Sequence, residues 1–207
     1  MDRAAVSAGR DPKSVTLIAV SKTVPIERIQ EAYDLGIRDF GESRWQEAEL
    51  KIKSLPDDIR WHFIGHLQSN KARRVAENVY AIHTLSSMTQ LKAIESMALA
   101  TPVQALIEVN IAKEPQKSGI FAEALDEFVE MVLQCSKVHF RGLMTIGPAN
   151  LNAELMRPFF ESMRFLNQKV GGSWLSMGMS DDFEVAIQEG STHVRIGSAL
   201  FGARRDI

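Results

Sequence analysis

Short runs of apolar, β-prone residues alternate along this chain with longer amphipathic stretches. The runs predict strands at residues 16–21, 39–43, 61–65, 81–85, 103–110, 138–147, 174–179 and 193–197. Helical periodicity fills the intervals at 26–35, 45–54, 69–76, 88–100, 122–133, 153–169 and 182–189. Local signals agree with these boundaries. Ser87-Met-Thr-Gln90 has the form of a capping box, Asp181-Asp-Phe-Glu184 is its acidic relative, and Gly36 and Gly190 fall where a helix should stop. Strands separated by helices pair in parallel through right-handed crossovers. Eight such repeats, with strands that are nearly apolar throughout, predict an α/β chain folded as one closed (β/α)8 TIM barrel over residues 1–207. An open doubly wound sheet is the alternative, but no G-x-G-x-x-G follows the first strand.

Composition removes several classes of function. With 45% hydrophobic and 24% charged residues the chain has an ordinary soluble balance, and a net charge of −2 gives no electrostatic footprint for nucleic acid. The single cysteine, Cys135, excludes an intrachain disulfide and a multi-thiolate zinc site, and its apolar helical run makes it a core residue. No signal peptide opens the chain and no apolar run is long enough to span a membrane, so the cytoplasm is the expected compartment. The five histidines show no metal-ligand spacing on one helix face. Glu47, Glu49, Lys51 and Lys53 have the pattern of a solvated helix face.

Candidate chemistry gathers at the predicted C-terminal ends of the strands, where barrels of this kind place function. Lys22 ends the first strand. An amine at the mouth of an apolar strand is partly desolvated, which favours the neutral form that condenses with aldehydes. The alternative is a lysine that snorkels into water. Strand seven runs into Ser176-Met-Gly-Met-Ser180-Asp181 and strand eight into Gly197-Ser198, each leading to a helix. Glycine and hydroxyl residues at these two positions form a phosphate cradle in many barrels, although helix caps and tight turns use the same residues. Strand alternation puts His193 and Arg195 on one face, so Arg195 can point into the mouth. An imine-forming lysine, a phosphate cradle and an inward arginine together describe a site for pyridoxal 5′-phosphate. Arg195 would then oppose the pyridine nitrogen and keep it unprotonated; direct phosphate binding and a buried ion pair are its alternatives. Met177 and Met179 are candidates to line the cofactor ring, or core filler.

Six segments carry a family resemblance: Ala19-Val-Ser-Lys22-Thr, Phe40-Gly-Glu-Ser43, Trp61-His-Phe-Ile-Gly-His-Leu-Gln-Ser-Asn-Lys71, Gly142-Leu-Met-Thr-Ile, Leu175-Ser-Met-Gly-Met-Ser180-Asp-Asp and Val194-Arg-Ile-Gly-Ser-Ala-Leu-Phe-Gly202. In this order, from about Ala8 to Arg204, they resemble the YggS/PROSC family of pyridoxal phosphate homeostasis proteins. The resemblance implies a fold-type III barrel similar to the barrel domain of alanine racemase. It implies pyridoxal 5′-phosphate held as a Schiff base on Lys22, with Ser180, Gly197 and Ser198 around the phosphate and Arg195 at the pyridine nitrogen. The family's role is to bind the cofactor and keep its supply, and that of amino and keto acids, in balance, without established turnover. Partners would be the cofactor itself, and then cofactor-dependent apo-enzymes or a regulatory protein. Two departures stand out. Ser43 replaces the asparagine usual after strand two, which puts its cofactor contact in doubt, and only Asp2 to Ala8 precede the first strand as helix, so that layer is expected to be thinly covered.

Two enzymatic alternatives compete with a carrier. A racemase on the same cofactor needs proton exchange on both faces of a carbanion. Neither tyrosine is placed for the second face: Tyr33 is on the first helix after strand one and Tyr80 precedes strand four. A class I aldolase would use Lys22 without cofactor, with Glu42 or His66 as acid or base. With no second domain in the sequence, a monomer or weak oligomer is expected.

Overall fold

Eight parallel strands close into a barrel in which each strand pairs with its neighbours in sequence and β8 returns to β1. This computed structural model describes residues 1–149 and 151–202; Arg204, where the resemblance ends, lies outside them. The strands are β1 (Thr16–Val20), β2 (Asp39–Glu42), β3 (Arg60–Phe63), β4 (Ala81–Leu85), β5 (Val103–Glu108), β6 (Val138–Met144), β7 (Trp174–Ser176) and β8 (His193–Ile196). The helices described are α1 (Asp2–Ser7), α2 (Ile26–Asp34), α3 (Trp45–Ser54), α4 (Ser69–Asn78), α5 (Met88–Glu95), α6 (Leu125–Gln134), α7 (Ala153–Lys169), α8 (Phe183–Gln188) and α9 (Ser198–Phe201).

All eight predicted strands are present, but most end earlier than their apolar runs. Thr145, Gly147, Met177 and Gly178 are apolar or small because they are buried in loops above the sheet, where hydrophobicity marks burial rather than strand pairing, while Ile146 and Met179 are exposed. The capping box at Ser87 forms with both its bonds. The expected acidic box at Asp181 does not form: Asp182 is the N-cap of α8, and its Oδ1 accepts instead from Met179 N, 2.6 Å away. The helix expected at 88–100 ends at Glu95, and the one expected from 122 begins as a 3-10 turn, Ala122–Ala124.

The core lies mainly between the sheet and its helices. Ala19, Phe40 and Trp61 face outward onto Ile29 and Ala32 of α2, while Leu143, Leu175 and Met177 pack on Met156, Phe160, Val185 and Ala186 of α7 and α8. The short N-terminal helix does cover its sector: Ala4 and Ala5 are buried against Ile187, Val194 and Ile196. Period-two alternation then turns the intervening residues to the barrel axis. In this barrel that interior includes Asp39, His62, His83, Ser176, His193 and Arg195, all buried, rather than apolar layers alone.

Candidate functional site

The backbone around Lys22 is clamped from outside the barrel. Ser21, just past β1, has its carbonyl bonded by Lys51 Nζ at 2.7 Å, and its hydroxyl donates to Glu42 Oε1 at 2.7 Å. Lys51 also reaches Glu42 at 2.8 Å and Glu47 at 2.5 Å. Glu47 in turn accepts from Thr23 N at 2.6 Å. Thr23 sits at φ +63°, a conformation costly for a β-branched residue and sustained only where its surroundings fix it. The peptides on both sides of Lys22 are therefore held by α3, and the half-buried lysine continues the inward set of Ile18 and Val20.

This clamp corrects two expectations. Lys51 does not belong to a solvated face: its side chain is 6% exposed, whereas the Glu49–Lys53 pair on the same helix remains outside. Glu42 is not an acid or base beside Lys22. It points away from the axis into α3, where burial raises its pKa and Lys51 opposes the rise.

Loops two and three press together above β2 and β3. A Cβ on Gly65 would lie 2.0 Å from the Ser43 carbonyl oxygen, so only glycine allows this approach. Ser43 is half-buried at that junction. His66 is exposed, with Nδ1 3.2 Å from Ser118 Oγ.

Loops seven and eight join across the mouth. Ala199 N, in the first turn of α9, lies 3.4 Å from Ser180 Oγ and donates to it. Arg195 N donates to the carbonyl of Gly178, which is at φ +90°. A Cβ at Gly197 would meet Val20 only at ordinary contact distance, 3.5 Å. Protein packing does not demand glycine there. Met177 is fully buried in the shell between sheet and helices, and Met179 is the exposed member of the pair.

Beneath these loops the Arg195 guanidinium is buried, donating from Nη1 to Ser176 Oγ at 2.7 Å and from Nη2 to the Thr145 carbonyl at 2.9 Å. Burial pulls its pKa down to about 10, with Asp182 and Glu108 opposing, so it stays a cation at neutral pH. Glu108, the last residue of β5, was not recognised in the sequence. Burial pushes its carboxyl up to about 7 against the pull of Arg195, and among the described residues its Oε2 has no hydrogen-bond partner. A lone acidic residue at the end of an apolar strand next to Asn110 was the available signal.

Glu108 sets a pH dependence. Its carboxyl keeps a proton in the fold up to about pH 7 but ionises near its ordinary value when unfolded. Between those values the folded state binds the extra proton, so stability falls as pH rises through the window. Glu108→Gln is expected to remove that slope, stabilising the protein by about 3 kcal/mol at about pH 8 and little at about pH 4. Urea melts at the two pH values check this, and an equal gain at both would contradict it.

Lys22, Ser43, Ser180, Arg195, Gly197 and Ser198 thus all come to the C-terminal end of the barrel, while Met177 lies behind loop seven. Tyr33 and Tyr80 do not come there: Tyr33 donates to Asp58 on the outside, and Tyr80 stacks on Trp174 at the opposite mouth. Among the described residues no group of three or more His, Cys, Asp or Glu is arranged to hold a metal ion, and no helix is long and apolar enough to cross a membrane.

Residues 5–205 match the family described as alanine racemase, N-terminal domain. The chain is 42% identical over 214 residues to the pyridoxal phosphate homeostasis protein of Aquifex aeolicus, covering 99% of this chain and 94% of that one. It superposes on PipY of Synechococcus elongatus with PLP bound at a TM-score of 0.84 and 36% identity, covering 97% of this chain and 99% of that one. Alanine racemase from Corynebacterium glutamicum shares the fold, with a TM-score of 0.73 and 16% identity over 98% of this chain and 59% of that one. A barrel closed in this order, matched along nearly its whole length by such relatives, belongs to the pyridoxal phosphate homeostasis protein family, within the alanine racemase N-terminal domain family.

Proposed function

We propose that this protein binds pyridoxal 5′-phosphate covalently through Lys22 at the C-terminal mouth and serves cofactor homeostasis as a carrier rather than as a catalyst. What carries the reading is a permanently charged, buried arginine set under a mouth that also holds the clamped lysine and the joined loops seven and eight. The homeostasis proteins and the PLP-bound PipY structure support it. The residues fit the group: Gly197 leaves room that packing does not require, and Ser180, Ser198 and nearby backbone N–H groups supply donors for a phosphate. When bound, the cofactor supplies an aldehyde for the lysine and an electron-withdrawing ring.

The chain's own residues then divide the work. The α3 clamp fixes the direction of Lys22. Arg195 donates toward the ring nitrogen and keeps it unprotonated. Ser43 offers a hydroxyl from the second loop, and Met177 backs the phosphate loop by packing. Glu108 gains and loses its proton near neutral pH, under the field of Arg195. Transfer of the cofactor to apo-enzymes, or to a regulatory protein, is the role we assign to a site that holds the group without an opposing tyrosine base.

Titrating the purified protein with pyridoxal 5′-phosphate tests the function: one equivalent is expected to bind with a visible absorption band, and no band would overturn it. L-alanine incubated with the loaded protein is expected to stay L. Accumulation of D-alanine that disappears in Lys22→Ala would replace the carrier by the racemase reading.

A further inference from the structure

A continuous line of hydrogen bonds runs through the barrel axis from one mouth to the other. At the N-terminal mouth Arg60 pairs bidentately with Asp39, at 2.8 and 2.5 Å. Asp39 Oδ1 lies 3.0 Å from His62 Nε2, and His62 Nδ1 lies 2.9 Å from His83 Nε2. His83 Nδ1 lies 3.0 Å from Ser176 Oγ, which lies 2.7 Å from Arg195 Nη1. Asp39, His62, His83, Ser176 and Arg195 are all at most 7% exposed. The outer end opens into a cavity of about 500 Å³ lined also by Tyr80, Trp174 and His193.

The chemistry at the two ends fixes the direction of every bond between them. Burial pushes Asp39 up, but the hydrogen bonds from Arg60 and His62 outweigh it and hold the carboxyl well below the usual range, so it only accepts. His62 must therefore carry its proton on Nε2. Desolvation lowers the pKa of both rings, leaving them neutral, so His62 Nδ1 is an acceptor and His83 must donate to it from Nε2. His83 Nδ1 then accepts, and the one proton of the Ser176 hydroxyl goes to it. Ser176 Oγ is left as an acceptor alone, which is what Arg195 Nη1 needs.

We propose that Asp39, His62, His83 and Ser176 are positioning residues for Arg195: a relay of single polarity that anchors the guanidinium from below and leaves its remaining N–H groups for the mouth. Reversal of His83 alone would set acceptor against acceptor between His62 Nδ1 and His83 Nε2, and reversal of His62 alone would set acceptor against acceptor at Asp39 and donor against donor at His83. The charged and titratable groups facing the line are Arg60 at Asp39, His193 beside the two rings with Arg141 acting on it, and Glu108 and Asp182 at Arg195. The role of Arg195 toward the cofactor rests on the function proposed above, but the polarity of the relay does not.

Nitrogen-15 NMR of the histidine rings in cofactor-free wild-type protein reads the polarity directly. His62 and His83 are both expected as neutral Nε2–H tautomers at about pH 7.5. An Nδ1–H tautomer or a doubly protonated ring at that pH would overturn the relay. The coupling to the cofactor is read with His83→Phe, expected to weaken binding of pyridoxal 5′-phosphate by about tenfold, the scale of coupling between hydrogen-bonded neighbours. His83→Gln, which retains a donor and an acceptor, is expected to recover part of that loss. Wild-type affinity in His83→Phe would overturn the positioning role. If wild-type protein takes up no cofactor, the proposed function fails while the tautomers still decide the relay.

Discussion

Lys22→Ala protein is expected to retain no covalently attached pyridoxal 5′-phosphate after exposure to excess cofactor and removal of the unbound fraction. The wild type is expected to retain about one equivalent. The clamp bonds described are made by other groups: Lys51 bonds the Ser21 carbonyl, and Glu47 accepts from the Thr23 backbone N–H. The variant should therefore fold and keep the phosphate-side donors Ser180 and Ser198. Weak, reversible binding is the expected remainder. Intact-mass and absorbance measurements on both proteins check this. Covalent retention in the variant would assign the attachment to another residue.

Lys51→Ala is expected to destabilise the fold by about 3–5 kcal/mol, the cost of breaking a buried ion pair by removing one partner. Glu42, with a 2% exposed side chain, would lose its cationic partner, and the Ser21 carbonyl would lose its donor. Glu47 would stay behind as a second carboxylate. Chemical denaturation measures the loss, and a cost below about 1 kcal/mol would show that water replaces the ammonium, as it does at exposed pairs. The double change Lys51→Met with Glu42→Leu is expected to recover most of the stability, because an apolar pair avoids the desolvation that the ion pair must offset. It should still loosen the turn at Thr23, seen as slower or weaker uptake of pyridoxal 5′-phosphate.

The barrel was legible because its signal is repeated and local. Each strand is a short buried run and each helix has an apolar stripe, so the order of elements follows from periodicity alone. That Lys22, Ser180, Arg195, Gly197 and Ser198 meet at one end of the barrel was legible for the same reason: they stand at strand ends, and the closed topology brings strand ends together. Lys51 was not. Glu47 and Lys51 are four residues apart, the spacing of an ordinary surface pair. What buries them is Glu42, whose outward direction on β2 shows only once Phe40 and Trp61 are packed against the helices.

The axial histidines were illegible in another way. His62, His83 and His193 lie on three different strands, so no spacing along the chain relates them. Their rings meet at centroid distances of 5.0 to 6.3 Å because barrel closure stacks interior positions of β3, β4 and β8. Glu108 failed for want of context: its raised pKa comes from burial near Arg195, which the isolated strand does not reveal.

The central claim is that one lysine, clamped at the end of β1, holds the cofactor. Borohydride reduction of the protein loaded with pyridoxal 5′-phosphate, followed by peptide mapping, tests it most directly. The phosphopyridoxyl group is expected on the peptide containing Lys22 and on no other lysine; a label at a different lysine, or none, would contradict the account.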